Sequence, residues 1–185
     1  MKALDRLLQF WRVAKARPFI PFGARVLDIG CGDGALFRLL GNRVQDGIGL
    51  DPTLTSPVQG EHFKLIPGRF PEALAGTEPF NVITLLAVLE HIPEPQQLLM
   101  AENCSHLLKP GGVLIITTPS PLVDRILDML LWLRLIDGME LMEHYGFDPR
   151  QTPAIFSVPG LSLVKSATFQ CRLNYIFVFQ KVHDC

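Results

Sequence analysis

The residues of this chain best placed to do chemistry are two acids, Asp28 and Asp51, each closing a short apolar run. The first run, Val26-Leu27-Asp28-Ile29, leads straight into Gly30-Cys31-Gly32-Asp33-Gly34. Those glycines let the backbone turn sharply and lie against a ligand that a Cβ would obstruct. Strand, glycine turn and helix in that order describe a nucleotide-type pocket. The second acid, in Leu50-Asp51-Pro52, follows about twenty residues later, the spacing that sets a carboxylate over a ribose. A carboxylate has acceptor capacity for both ribose hydroxyls. The helix starting near Ala35 points its positive end at the same place, which suits a carboxylate or a phosphate equally well. The spacing is GxGxG, whereas a dinucleotide pyrophosphate is held by GxGxxG, so a nicotinamide-dependent oxidoreductase is the weaker reading.

Two histidines can carry catalysis. His91 follows an apolar run, at the carboxyl edge where α/β sheets bind ligands. Imidazole titrates near neutrality, so His91 suits a base that deprotonates a hydroxyl acceptor. The competing reading is a helix-start histidine bonded to backbone. His144, in Glu143-His144-Tyr145-Gly146-Phe147, offers imidazole and phenol to a hydroxyl-bearing substrate, or is a satisfied residue of a polar loop. His62, His106 and His183 have no partners in sequence and read as surface or structural residues.

The elements that must position these groups alternate. Strands are expected at Arg25–Ile29, Ile48–Leu50, Phe63–Ile66, Asn81–Leu86 and Val113–Thr117, with helices near Ala35–Leu40 and Gln96–Leu108. Short apolar strands alternating with helices mean a parallel sheet covered on both faces. Leu161–Phe169 and Arg172–Lys181, separated by almost nothing, read as an antiparallel hairpin. Residues 1–17 form an amphipathic helix, with Leu4, Leu7, Leu8 and Trp11 at helical spacing and Pro18 ending it. It covers the core, closes the pocket or touches an anionic membrane. Within 119–147, the run Leu122–Leu133 is apolar over most of a helical circumference, which makes it a hydrophobic lid, a dimer interface or core packing.

Four segments in order resemble the class I S-adenosylmethionine-dependent methyltransferases (type 11/12-like), and the ubiquinone-biosynthesis small-molecule enzymes in particular. They are Asp28–Gly34, Asp51-Pro52, Leu85–Ile92 (the family's "vLeHi" segment) and Leu108–Leu114 (its "LkPGG" turn). The resemblance spans roughly residues 22 to 181. It implies a Rossmann-like α/β fold, a mostly parallel seven-stranded sheet with an antiparallel C-terminal hairpin and helices on both faces. It also implies that S-adenosylmethionine is the cofactor and S-adenosylhomocysteine the product. On it Asp28 organises the turn at the methionine end, and Gly30, Cys31 and Gly32 lie against the ligand. Asp51 and Pro52 then meet the ribose, the Leu86 carbonyl meets the methionine ammonium, and Phe70 edges the adenine. Relatives of the ubiquinone type carry an acid three residues before the Glu-His pair and hold a divalent metal. Here that position is Ala87, and one carboxylate with one imidazole is a poor set for a hard cation. No metal is expected.

With 185 residues and 48% hydrophobic content the chain fits a single domain, 1–185, with a full core. A net charge of −1 gives no basic surface for nucleic acid. The Asn/Asp-Pro-Pro-aromatic run of base methylation is replaced by Leu85-Leu86-Ala87-Val88. Four scattered cysteines without a CxxC pair suit free thiols in a reducing cytoplasm. No apolar run reaches the roughly eighteen residues of a membrane span. The sequence therefore reads as a cytoplasmic methyltransferase acting on a hydroxyl or carbon of an apolar or lipid-like small molecule. Peripheral lipid contact and a homodimer stay open. The rival is a non-catalytic S-adenosylmethionine-binding partner or regulatory subunit.

Overall fold

The computed structural model describes residues 3–74, 76–120 and 147–182. Five parallel strands form its centre: β1 (Ala24–Ile29), β2 (Val44–Asp51), β4 (Phe63–Pro67), β5 (Phe80–Leu86) and β6 (Leu108–Pro119). The hairpin of β7 (Leu161–Phe169) and β8 (Asn174–Lys181) joins through β8, antiparallel to β6. A two-residue strand, β3 (Val58–Gln59), pairs antiparallel with β4 at the far edge. The order is β3-β4-β2-β1-β5-β6-β8-β7, so the sheet has eight strands where seven were expected. The extra strand is too short to leave a periodic pattern in sequence.

Side chains alternate across each strand. Leu27 and Ile29 of β1 enter one core with Ile83, Leu85, Leu114, Ile116, Phe177 and Phe179, beneath Ala101 and Cys104 of α3 (Glu94–Leu107). Val26 enters the other core with Val82, Ile115 and Val178, under α1 (Ala3–Ala16) and α2 (Ala35–Leu40). Asp28, in step with Val26, therefore faces α1, and Thr84 lies beside it in register. Strand order reverses between β1 and β5, and such a switch point opens a crevice at the carboxyl ends. That crevice is where the glycine turn lies.

Helix α1 runs from Ala3 to Ala16, and Pro18 sits in a single 3-10 turn, Arg17–Phe19. Its packing face is not the expected leucine stripe. Val13 and Ala16 are buried while Leu7 and Trp11 are exposed, because small side chains bring the helix close to Cys31, Leu36 and Phe37 in the same core. Among the described residues no helix is long and apolar enough to cross a membrane. The proposed lid lies mostly in 121–146, outside the described residues.

The hairpin's contribution is testable. Phe179 is fully buried against Phe156, ring centroids 5.5 Å apart. Phe179→Ala should lower unfolding free energy by about 3–5 kcal/mol, and Val164→Thr on the exposed edge strand by under about 0.5 kcal/mol. Chemical denaturation checks both; equal effects would place Phe179 outside the core.

Candidate functional site

The turn after β1 is built by the end of β2. The Leu50 carbonyl accepts the N–H of Gly30 (2.8 Å) and of Cys31 (3.1 Å). Asp51 Oδ2 accepts the N–H of Gly32 at 2.8 Å, and its Oδ1 accepts both the N–H (2.8 Å) and the hydroxyl (2.6 Å) of Thr53. Gly34 N–H closes on the Cys31 carbonyl at 2.8 Å. Gly30 is left-handed (φ +73°), and a Cβ there would overlap the Val88 side chain. A Cβ at Gly32 would meet nothing within 4 Å, so that side of the turn is open space.

This geometry corrects two expectations. The amides of Gly30, Cys31, Gly32 and Gly34 are taken by protein acceptors, so four of the five amides of the turn are turned to protein rather than to a ligand. The start of α2 already has its own anion in Asp33, which accepts from Ala35 N–H, Gln9 (3.2 Å) and Arg38 (2.6 Å). Partial burial pushes the Asp33 carboxyl up, but the hydrogen bonds from Arg38 and Gln9 outweigh it and hold it below the usual carboxylate range. A phosphate would find both the donors and the dipole occupied.

Two cavities meet at Gly30, on opposite faces of the sheet's carboxyl edge. The smaller, about 200 Å³, is lined by Asp28, Gly30, Cys31, Leu36 and Leu86 and walled by Gln9, Arg12 and Val13 of α1. The larger, about 550 Å³, is lined by Leu50, Pro52, Phe70, Val88, His91 and Met100, among others. The structure thus brings together Asp28, Gly30, Cys31 and Leu86 on one side, and Pro52, Phe70 and His91 on the other. Asp51 borders neither cavity; its carboxylate is turned into the glycine turn. His91 ends a 3-10 turn, Leu89–His91, and its N–H bonds the Val88 carbonyl at 2.9 Å. His144 lies outside the described residues. Among the described residues, no three His, Cys, Asp or Glu side chains converge as a metal site.

Sequence reasoning missed Thr84, whose hydroxyl donates to Asp28 Oδ1 at 2.6 Å. Its signal was a polar residue inside an apolar strand. It also missed Gln9, Arg12 and Val13, and the left-handed Ala87 (φ +60°) directly after Leu86. That conformation costs an L-residue about 1–2 kcal/mol, and the Ala87 N–H to Thr117 carbonyl bond, 2.8 Å, holds it in place.

A methyltransferase domain model matches residues 2–155. The chain belongs to the methyltransferase domain family. Among curated relatives, the ubiquinone biosynthesis O-methyltransferase of Photorhabdus laumondii is 32% identical over 129 residues, 64% of this chain and 50% of that protein. The enzyme of the same name from Idiomarina loihiensis is 36% identical over 106 residues, 52% and 43% of the two chains. This methyltransferase domain chain spans about half the length of the curated relatives it matches. A chain of the complex between the Haloferax volcanii Trm112 methyltransferase activator and a methyltransferase superposes at TM-score 0.73. It is 16% identical, over 99% of this chain and 95% of that one. The N-methyltransferase NodS from Bradyrhizobium japonicum, in complex with S-adenosyl-L-homocysteine, gives 0.64 at 17% identity, over 97% and 87%. At these identities the likeness is one of fold.

Within the methyltransferase domain, Asp28 is a strongly perturbed acid. Burial raises its pKa from 3.8 to about 7, against the lowering bond from Thr84, and the Asp51 charge adds to the rise. Burial also pushes the Cys31 thiol up, reinforced by the charges of Asp28 and Asp51, so it is no nucleophile at neutral pH. Between pH 3.8 and 7 folded Asp28 keeps a proton that the unfolded chain has released. Its contribution to stability is therefore complete at low pH and is lost as pH rises to 7. Asp28→Asn should gain stability relative to the native chain across that window, on the order of 1–3 kcal/mol, and stay level above it. Urea unfolding from pH 4 to 8 checks this; a pH-independent difference would contradict it.

Proposed function

We propose that this chain binds S-adenosylmethionine in the crevice around Gly30 and transfers its methyl group to a hydroxyl or carbon of an apolar or lipid-like small molecule. The observation that carries the reading is the pair of unlike cavities meeting at one glycine. One has a buried carboxyl, Asp28, and the other a mostly apolar wall that includes Pro52 and Phe70. A ligand with a cationic amino-acid end and a flat heterocyclic end fits that division. The chain 1–185 is read as one domain, since strands from both ends share the sheet.

The residues fit such a cofactor. Asp28 takes the ammonium end, where a cation draws its carboxyl into the charged form, and the Leu86 carbonyl adds an acceptor. Gly30, Cys31 and Gly32 give a surface without donors. Asp51 already accepts three protein hydrogen bonds, close to the four sites a carboxylate offers. Its part is to fix the turn, and ribose hydroxyls gain it only by displacing the Thr53 donor. When bound, the cofactor supplies an electrophilic methyl on sulfur. The chain's own work is alignment and exclusion of water. Where the acceptor arrives as a hydroxyl, His91 on the larger cavity is the candidate base; His144 is the second candidate. The names of the relatives, ubiquinone biosynthesis O-methyltransferases, support an O-directed reaction on an apolar ring compound.

Calorimetry tests the reading. S-adenosylmethionine should bind saturably and NAD should not. Asp51→Ala should weaken binding at least tenfold, about 1.4 kcal/mol, by loosening the turn. Affinity should climb with pH from 5.5 towards 7 as Asp28 ionises, and Asp28→Asn should flatten that slope. Labelled methyl should then pass to hydroxyl-bearing apolar acceptors, at a rate His91→Ala lowers by roughly 10²–10⁴-fold. Tight binding without turnover on any acceptor would favour the non-catalytic partner subunit. NAD binding in place of S-adenosylmethionine would overturn the pocket assignment.

A further inference from the structure

We propose that α1 is an interfacial helix that seats the protein on an anionic lipid bilayer, with Leu7, Phe10 and Trp11 entering the headgroup layer. These three side chains are 50%, 51% and 44% exposed although they are among the largest apolar groups of the helix. At 100° per residue the outward arc runs Arg6, Phe10, Ala14, Leu7, Trp11, Lys15, so an apolar stripe is bounded on each side by a cation. That is the arrangement of a helix lying in a membrane interface, with aromatic and leucine side chains below and lysine or arginine at the flanks.

Charge selects the occupant. Arg6 and Lys15 flank the outward stripe and Arg17 follows the helix, with no acid between residues 6 and 22, on a chain whose net charge is −1. Beyond the helix, Phe22 is 75% exposed with the Arg43 guanidinium 4.2 Å above its ring, and the Lys165 ammonium lies 5.3 Å over Phe19. Aromatic groups paired with cations at the end of α1 extend the same chemistry. A second copy docked through this same face, as in a two-fold dimer, would bring a like-charged surface against it, whereas a sheet of anionic headgroups complements it.

The inner face of the same helix supplies Gln9, Arg12 and Val13 to the smaller cavity. Seating the outer face would hold that cavity about one helix diameter, roughly 10 Å, from the headgroups. The proposal does not depend on the methyl-transfer reading, because lipid binding is read without turnover.

The test is co-sedimentation of the full chain with phosphatidylcholine vesicles, with and without about 30 mol % phosphatidylserine. The native chain should bind the anionic vesicles at least tenfold more tightly than the neutral ones and release when salt screens the charges. In a Trp132→Phe background, Trp11 fluorescence should shift to the blue. The triple variant Leu7→Ser, Phe10→Ser, Trp11→Ser should lose at least tenfold in vesicle binding while staying folded and keeping its S-adenosylmethionine affinity, since none of the three lines either of the two cavities at Gly30. Arg6→Glu with Lys15→Glu should abolish the preference for anionic lipid. The proposal fails if the native chain ignores anionic vesicles, or if the triple variant binds them equally well. It also fails if Trp11 becomes buried without lipid through self-association, which would give this face to a second copy.

Discussion

Everything at the carboxyl edge of this sheet depends on the end of β2 holding the turn that follows β1. One carbonyl, Leu50, accepts two successive amides, and the next residue's carboxylate, Asp51, accepts the third. Consecutive amides can converge on a neighbouring strand this way only if the chain turns left-handed at Gly30 and carries no side chain against Val88. The turn is thereby fixed before any ligand arrives, and four of its five amides are spent. Glycine-rich turns that bind phosphate work the other way, leaving amides and a helix dipole for the anion. Here the dipole is answered by Asp33, three of the amides by β2 and the Gly34 amide by the Cys31 carbonyl, so little of the turn is left for an anion. This argues against a pyrophosphate more strongly than motif spacing does.

A second consequence is the position of Asp28. It lies on the face of β1 that carries Val26, which buries a carboxyl against that core, where the Thr84 hydroxyl donates to it. A carboxyl so placed stays largely protonated through the mildly acidic range, and a cation brought beside it would draw it into the charged form. The wall opposite is α1, so this helix shapes the polar end of the crevice while its other face stays bare.

Much of this was legible in the sequence for simple physical reasons. The strands β1, β5 and β8 are short and dominated by apolar residues, with single polar residues breaking β1 and β5, and strands buried on both faces must be mostly apolar. The hairpin was legible because two strand-like runs, Leu161–Phe169 and Arg172–Lys181, stood with no room for a crossover between them. Asp28 and Asp51 stood out as acids at the ends of apolar runs. What was not legible concerned three-dimensional choice among equivalents. Leu7 and Trp11 are better apolar candidates than Val13 and Ala16, yet close approach to Cys31 and Phe37 favoured the smaller pair. The carboxylate of Asp51 had two possible uses, and the hydroxyl of Thr53 two positions on decided between them. The strand at Val58–Gln59 exists only because β4 offers it an edge.

The central claim is that one crevice, divided at Gly30 into a carboxyl-bearing side and a mostly apolar side, receives a single ligand across the glycine turn. A crystal structure of the chain with S-adenosylhomocysteine tests it most directly. The amino-acid end should lie beside Asp28 and Leu86 and the heterocycle against Pro52 and Phe70, with the Leu50 carbonyl still holding the Gly30 and Cys31 amides. A ligand bound away from Gly30, or reversed so that its amino group lies by Phe70, would contradict it.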